Sequence, residues 1–119
     1  MTQENKDLLL RDLCARLPYG VKIQVPYEDG SGYFDETVWE VNNEGPFHVN
    51  GWGIEYEYVK PYLFPLSSIT KKTLEELSAY IDIKNAYVAV EFFNSHHIDY
   101  RGLIEKGLAI DATGLDIYK

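Results

Sequence analysis

The run Val21-Lys22-Ile23-Gln24-Val25 alternates apolar and polar side chains, and this alternation constrains the fold more than any other feature of the chain. A period of two places Val21, Ile23 and Val25 on one face and Lys22 and Gln24 on the other, the pattern of a half-buried strand. Such a strand needs partners, and turn residues follow it at short intervals. The loop Glu28–Gly32 carries two glycines, which are free to take positive φ. A second strand is expected over Tyr33–Val41, with Thr37, Trp39 and Val41 alternating against Glu36, Val38 and Glu40. The stretch Asn42–Pro46 then turns the chain into a short Phe47–Val49 strand. Asn50-Gly51 is a hairpin signal, because both residues tolerate the left-handed backbone of a tight turn. Ile54–Val59 closes the set, with Ile54, Tyr56 and Tyr58 opposite Glu55 and Glu57. Four short antiparallel strands at this spacing predict a meander or a small SH3-like barrel.

A helix precedes this sheet. Leu9, Leu13 and Leu17 recur every four residues with Leu10 and Cys14 beside them, while Lys6, Asp7, Arg11 and Asp12 take the other side. The helix is expected to start near Thr2 and stop at Leu17, where Pro18 disfavours helical geometry. Cys14 reads as a small core residue, and a single cysteine cannot form an internal disulfide.

After the strands, Lys60–Thr70 reads as an extended connector, since neither Pro61 nor Pro65 suits a central strand. Thr70 can cap a helix over 71–82, with Leu74, Leu77, Tyr80 and Ile81 at helical spacing. Residues 86–97 mix strand-forming composition with a helical stripe of Ala89, Phe92, Phe93 and His96. A helix is favoured because Val90–Ser95 does not alternate. Gly102 and Gly107 would each cost about 1 kcal/mol inside a helix, so a short turn is expected between them. Leu108–Asp111 suits a short closing strand. The expected fold is therefore α+β and a single globular domain over 1–119: an N-terminal helix, the small antiparallel sheet, two helices and a short structured tail.

Charge narrows function. The chain carries a net charge of −8, and nearly all of the excess lies in residues 26–60, where eight acidic groups face Lys60 alone. That surface would repel a phosphate backbone, which proteins bind chiefly through Lys and Arg, so direct nucleic-acid binding is disfavoured. No apolar run approaches the roughly 20 residues of a membrane span, and the start of the chain lacks the pattern of a secretory leader. A cytoplasmic protein without cofactor is expected. No pattern specifies an oligomer.

The densest polar cluster is His96, His97, Asp99 and Arg101. As a metal site it is weak, because adjacent histidines diverge by about 100° on a helix and point to opposite faces of a strand. The blander interpretation has one imidazole capping a helix end and the other in water, with Asp99 capping the following turn and Arg101 bonding carbonyls or a carboxylate. Tyr100 is expected to tuck its ring beneath that turn with its hydroxyl at the edge. A small hydrolase or metal-dependent enzyme built on His96, His97 and Asp99 is the alternative. No phosphate-binding glycine loop, nucleophile elbow or paired-cysteine motif accompanies them.

A binding role has more support, because the acidic segment interleaves its carboxylates with Tyr27, Tyr33, Phe34, Trp39, Phe47, Trp52, Tyr56 and Tyr58. Rings exposed beside Glu40, Glu55 and Glu57, above all Trp39, Trp52, Tyr56 and Tyr58, would suit a protein partner with a basic surface. A third possibility is that the carboxylates mimic DNA phosphates to occupy a nucleic-acid-binding protein.

Over Lys60–Thr70 (KPYLFPLSSIT) and Asn94–Thr113 (NSHHIDYRGLIEKGLAIDAT) the chain resembles a group of small uncharacterised proteins of gut bacteria, their phages and integrated mobile elements. Phe64 stands where that pattern has arginine. The resemblance implies a phage or mobile-element accessory protein and carries no catalytic residue with it.

Overall fold

The computed structural model describes residues 2–27, 29–42, 45–48, 58–69, 75 and 86–118. Among them an N-terminal helix, a mixed sheet of six strands and a later short helix form an α+β arrangement.

Helix α1 spans Gln3–Arg16, and the Thr2 hydroxyl accepts a hydrogen bond from the Asn5 amide at 3.1 Å, satisfying one of the unpaired donors of the first turn. Beyond Arg16 the chain tightens into a 3₁₀ turn, Leu17–Tyr19, closed by Gly20 at φ 69°, a backbone that glycine adopts without strain. Strands β1 (Lys22–Pro26) and β2 (Tyr33–Asn42) pair antiparallel, with Ile23 opposite Glu36 and Val25 opposite Phe34. Strand β3 (Gly45–His48) continues the antiparallel set on β2.

The facing of β2 differs from the expected alternation. Val38 is buried, and its amide bonds the Val21 carbonyl, so the even-numbered residues of this half share the inner face of β1. The register against β3 shifts between Val38 and Glu40, a bulge that inserts one extra residue and reverses the facing. Val41 accordingly packs on the core as well. Trp39 occupies the inserted position.

Strand β4 (Lys60–Pro65) overturns the expectation of a connector. It pairs antiparallel with β1 through Ile23–Pro61 and Gln24–Lys60. It also pairs in parallel with β5 (Ile98–Asp99) and β6 (Ile110–Asp111). The sheet is thus mixed rather than antiparallel, and β4 is its hub. The prolines are tolerated because they take the second and last positions of the strand, leaving Phe64 free to donate to the His97 carbonyl at 2.8 Å. Helix α2 spans Ala86–Ser95, which resolves the mixed pattern of that stretch in favour of a helix. The strand expected at 54–59 and the helix expected at 71–82 fall outside the described residues, apart from Tyr58, Val59 and a helical Glu75.

Leu9 and Leu13 of α1 bury fully against Val21, Ile23, Val25, Val38, Val59, Leu63 and Leu103. Each such side chain contributes about 1.5–3 kcal/mol of transfer free energy. Cys14, expected in this core, is exposed. The buried stripe of α1 is instead Leu9, Asp12, Leu13 and Arg16, all at 0% exposure, and Asp12 is therefore not on the solvent side where the sequence pattern put it.

Candidate functional site

The two charged residues in that stripe organise the cluster at the end of α2. Arg16 Nε donates to Asp12 Oδ2 at 2.9 Å, one helical turn back, and its other nitrogens reach the carbonyls of Phe93 (3.3 Å) and Ile98 (2.5 Å). Arg101 Nη1 closes the network on Asp12 Oδ1 at 2.8 Å, and its guanidinium lies 4.5 Å from the Tyr100 ring centroid. A buried charge is tolerated only when its partners are close, and here one carboxylate is shared by two guanidinium groups. The network ties α1 to the end of α2, to β5 and to the turn after it.

The residues of the His-His-Asp cluster diverge within this frame. His96 is exposed, stacks on Phe92 with ring centroids 4.2 Å apart, and places Nδ1 3.0 Å from the Phe92 carbonyl. His97 is buried, adopts a left-handed backbone (φ 57°) just past the helix end, and stacks on Tyr118 with centroids 3.7 Å apart. Asp99 is buried, and its two carboxylate oxygens accept from the amides of Leu103 and Ile104, both at 2.9 Å. Those bonds cap the turn before Gly107, the structural role considered for Asp99. Tyr100 differs from expectation: its ring stacks on Phe93, and its hydroxyl is buried, with no hydrogen-bond partner among the described residues, rather than at the edge. Among the described residues no three His, Cys, Asp or Glu side chains converge as metal ligands.

Burial, with the positive charges of Arg16 and His96 added, pushes His97 down to about 4 from its ordinary 6.5, so its imidazole is neutral at neutral pH. Tyr118 fills an unusual position. Its hydroxyl accepts from the Lys22 amide at 2.9 Å and donates to the Tyr62 carbonyl at 2.7 Å. The register of β1 and β4 would bring Lys22 opposite Tyr62 at the next rung, so the phenol replaces a direct ladder bond. Burial raises the Tyr118 hydroxyl well above the usual tyrosine range.

The outer face of the sheet carries the rest. Lys22, Gln24 and Pro26 of β1 lie opposite Thr37, Asp35 and Tyr33 of β2. The Tyr62 hydroxyl donates to Asp35 and accepts from Gln24 Nε2 at 3.2 Å; burial and the Asp35 carboxylate raise it to about 12. Tyr33 is 64% exposed, Tyr58 58% and Tyr27 48%, and Tyr27 rests on Phe34 with ring centroids 5.2 Å apart. Asp29, exposed at the hairpin tip, is held below the usual carboxylate range by hydrogen bonds from Ser31. Of the rings and acids picked out for binding, Tyr58 is exposed. Trp39 and Glu40 are described only through the backbone of β2, and Trp52, Glu55, Tyr56 and Glu57 lie outside the described residues.

Asp12, Arg16 and Tyr118 escaped sequence reasoning. The first two had a signal: with Leu9 and Leu13 they stand at i, i+3, i+4 and i+7, polar residues inside an apolar stripe. Tyr118 had none, since its role depends on where the tail returns to the sheet. No family model, curated protein or solved structure matches this chain.

Proposed function

We propose that this chain is a non-enzymatic accessory protein, of the phage or mobile-element kind its resemblance implies, that docks a basic protein through the acidic, ring-bearing surface of residues 26–60. The observation that carries this reading is the exposure of Tyr33, Tyr58 and Tyr27 at 64%, 58% and 48% within the segment that holds most of the excess negative charge. An exposed tyrosine offers a lysine or arginine a ring face worth about 0.5–1 kcal/mol, and costs little conformational entropy on ordering. The exposed carboxylates of Asp29 and Asp35 add steering, which speeds encounter and weakens with salt. The same reading counts Trp39, Glu40, Trp52, Glu55, Tyr56 and Glu57 among the residues the partner contacts. The enzymatic alternative loses support because Asp99 spends both oxygens on backbone amides and His96 and His97 point into different surroundings.

Site-specific photo-cross-linkers at Tyr33 and Tyr58, with a control at Glu105, test the proposal in bacterial lysate. It predicts one basic protein captured at both tyrosine positions, lost between about 50 and about 500 mM salt, and absent at the control. Capture that is equal at all three positions, or indifferent to salt, would contradict it.

A further inference from the structure

We infer that residues 113–118 form a releasable strap: Tyr118 holds apart the seam between β1 and β4, and the two strands close on each other when it withdraws.

The strap has an anchor at each end. At its start the Ala112 amide bonds the Leu63 carbonyl at 2.8 Å, and Ala112 is buried. At its far end the Tyr118 hydroxyl bridges the Lys22 amide and the Tyr62 carbonyl. The Tyr118 ring stacks on His97 and lies 6.0 Å from the Phe64 ring. Residues 113–116 between these anchors are exposed. Two of the four take left-handed backbone, Gly114 at φ 78° and Asp116 at φ 53°. An exposed arch of this kind buries little apolar surface, the mark of a segment that opens locally before the fold does.

Withdrawal need not leave an unpaired group in the sheet, which separates this strap from an ordinary tail contact. Ile23 faces Pro61 and Gln24 faces Lys60, so the Lys22 amide and the Tyr62 carbonyl come opposite each other at the next rung. A donor and an acceptor bridged by one hydroxyl can bond directly once that hydroxyl is gone. The phenol meanwhile exchanges both partners for water. The seam therefore has two states in which its backbone groups are paired, one bridged and one direct. They present different surfaces, because withdrawal bares the faces of His97 and Phe64 on which Tyr118 rests. A difference of that kind is what a ligand needs to select one state over the other.

Gly114 allows a test that leaves the seam itself untouched. A β-carbon there meets nothing within 4 Å, so alanine acts only through the left-handed backbone that the strapped form requires. The released tail is free to leave that backbone, and Gly114→Ala should raise the released population about fivefold or more.

Amide hydrogen exchange by NMR on the full chain follows three donors. Leu115 bonds the Ala112 carbonyl inside the strap, Lys22 lies in the seam, and Val38, bonded to the Val21 carbonyl, is the reference for global opening. With Gly114→Ala, Leu115 should exchange about fivefold faster, while Lys22 keeps its wild-type ratio to Val38 because the closed seam protects it. Tyr118→Ala empties the seam and should speed Leu115 further, with Lys22 within about threefold of wild type relative to Val38. Tyr118→Phe should do the opposite, since its ring stays against His97 and bonds neither group: Lys22 exchanges about tenfold faster and Leu115 hardly changes.

Lys22 and Leu115 speeding together in Gly114→Ala or in Tyr118→Ala would overturn the inference, because the seam would then open rather than close. An unchanged Leu115 rate in Gly114→Ala would overturn it as well, since the strap would not release. So would a Lys22 rate untouched by Tyr118→Phe, which would mean that the phenol does not hold the seam apart. If Tyr118→Ala fails to fold, Gly114→Ala decides alone. None of these results bears on the docking surface, which its own cross-links test.

Discussion

His97 concentrates two opposed effects in one residue. Its left-handed backbone (φ 57°) at the end of α2 is a position where glycine is at ease and a β-carbon costs about 1–2 kcal/mol. Its ring, however, is buried against Tyr118. His97→Ala loses the ring and keeps the backbone cost; His97→Gly loses the ring and relieves that cost. Both variants should be less stable than wild type in denaturant melts, with glycine about 1 kcal/mol above alanine. Alanine matching or exceeding glycine would mean that the backbone carries no such strain. The imidazole also sets a pH dependence. The Arg16 guanidinium and the His96 ring are the groups whose proximity adds to burial, and Lys22, Asp35 and Asp116 line the surface cleft it borders. Because its folded value is depressed from 6.5 to about 4, the unfolded chain binds a proton that the fold refuses. The stability this group contributes is complete above pH 6.5 and declines as pH falls toward about 4, on the order of 3 kcal/mol in total. The advantage of wild type over His97→Asn should therefore shrink from pH 7 to pH 4. An advantage that stays constant with pH would show that the ring is not held neutral.

At the scale of elements, the Asp12–Arg16–Arg101 network holds the corner between α1, α2 and β5. Arg16 is fully buried and also satisfies the carbonyls of Phe93 and Ile98, whereas the Arg101 side chain is 18% exposed. Arg16→Leu removes the donor to Asp12 Oδ2, leaving Arg101 alone on that carboxylate, and unpairs two buried carbonyls, and should cost about 3–5 kcal/mol. Arg101→Ala should cost about 1 kcal/mol, since Asp12 keeps its Arg16 bond. Equal losses in denaturant melts would contradict this ranking. Much of this level was legible in the sequence: the bounds of α1, the first strand, the turn after Asp99 and a closing strand at 110–111 all follow from local pattern and turn chemistry. The facing of β2 was not, because a one-residue bulge at Trp39 reverses alternation without a composition signal of its own. Nor was β4, because proline rules argue against an interior strand and are silent when the prolines fall near its ends. The inward turn of Asp12 and Arg16 was hidden by treating charge as a mark of the wet face, although their spacing with the leucines showed otherwise.

Across the whole molecule, residues distant in sequence meet at the Tyr118 hydroxyl, which replaces one rung between β1 and β4. Tyr118→Phe should cost about 1–3 kcal/mol by leaving the Lys22 amide and Tyr62 carbonyl unpaired, and should speed hydrogen exchange at Lys22. Unchanged exchange there would mean that the strands close on each other directly. The same scale separates the two places where function could reside. The histidine-rich corner is dense in polar side chains, yet its imidazoles stack on Phe92 and Tyr118, Asp99 caps a turn and Arg101 pairs with Asp12. The hairpin face instead presents rings and carboxylates outward. The most direct measurement is the affinity of the protein cross-linked at Tyr33 for wild type, a Tyr27→Ala/Tyr33→Ala double variant and His96→Ala. A surface built on the hairpin predicts about tenfold or greater weakening in the double variant and no change in His96→Ala. Full affinity in the double variant together with loss in His96→Ala would place the function at the histidine corner and contradict the account.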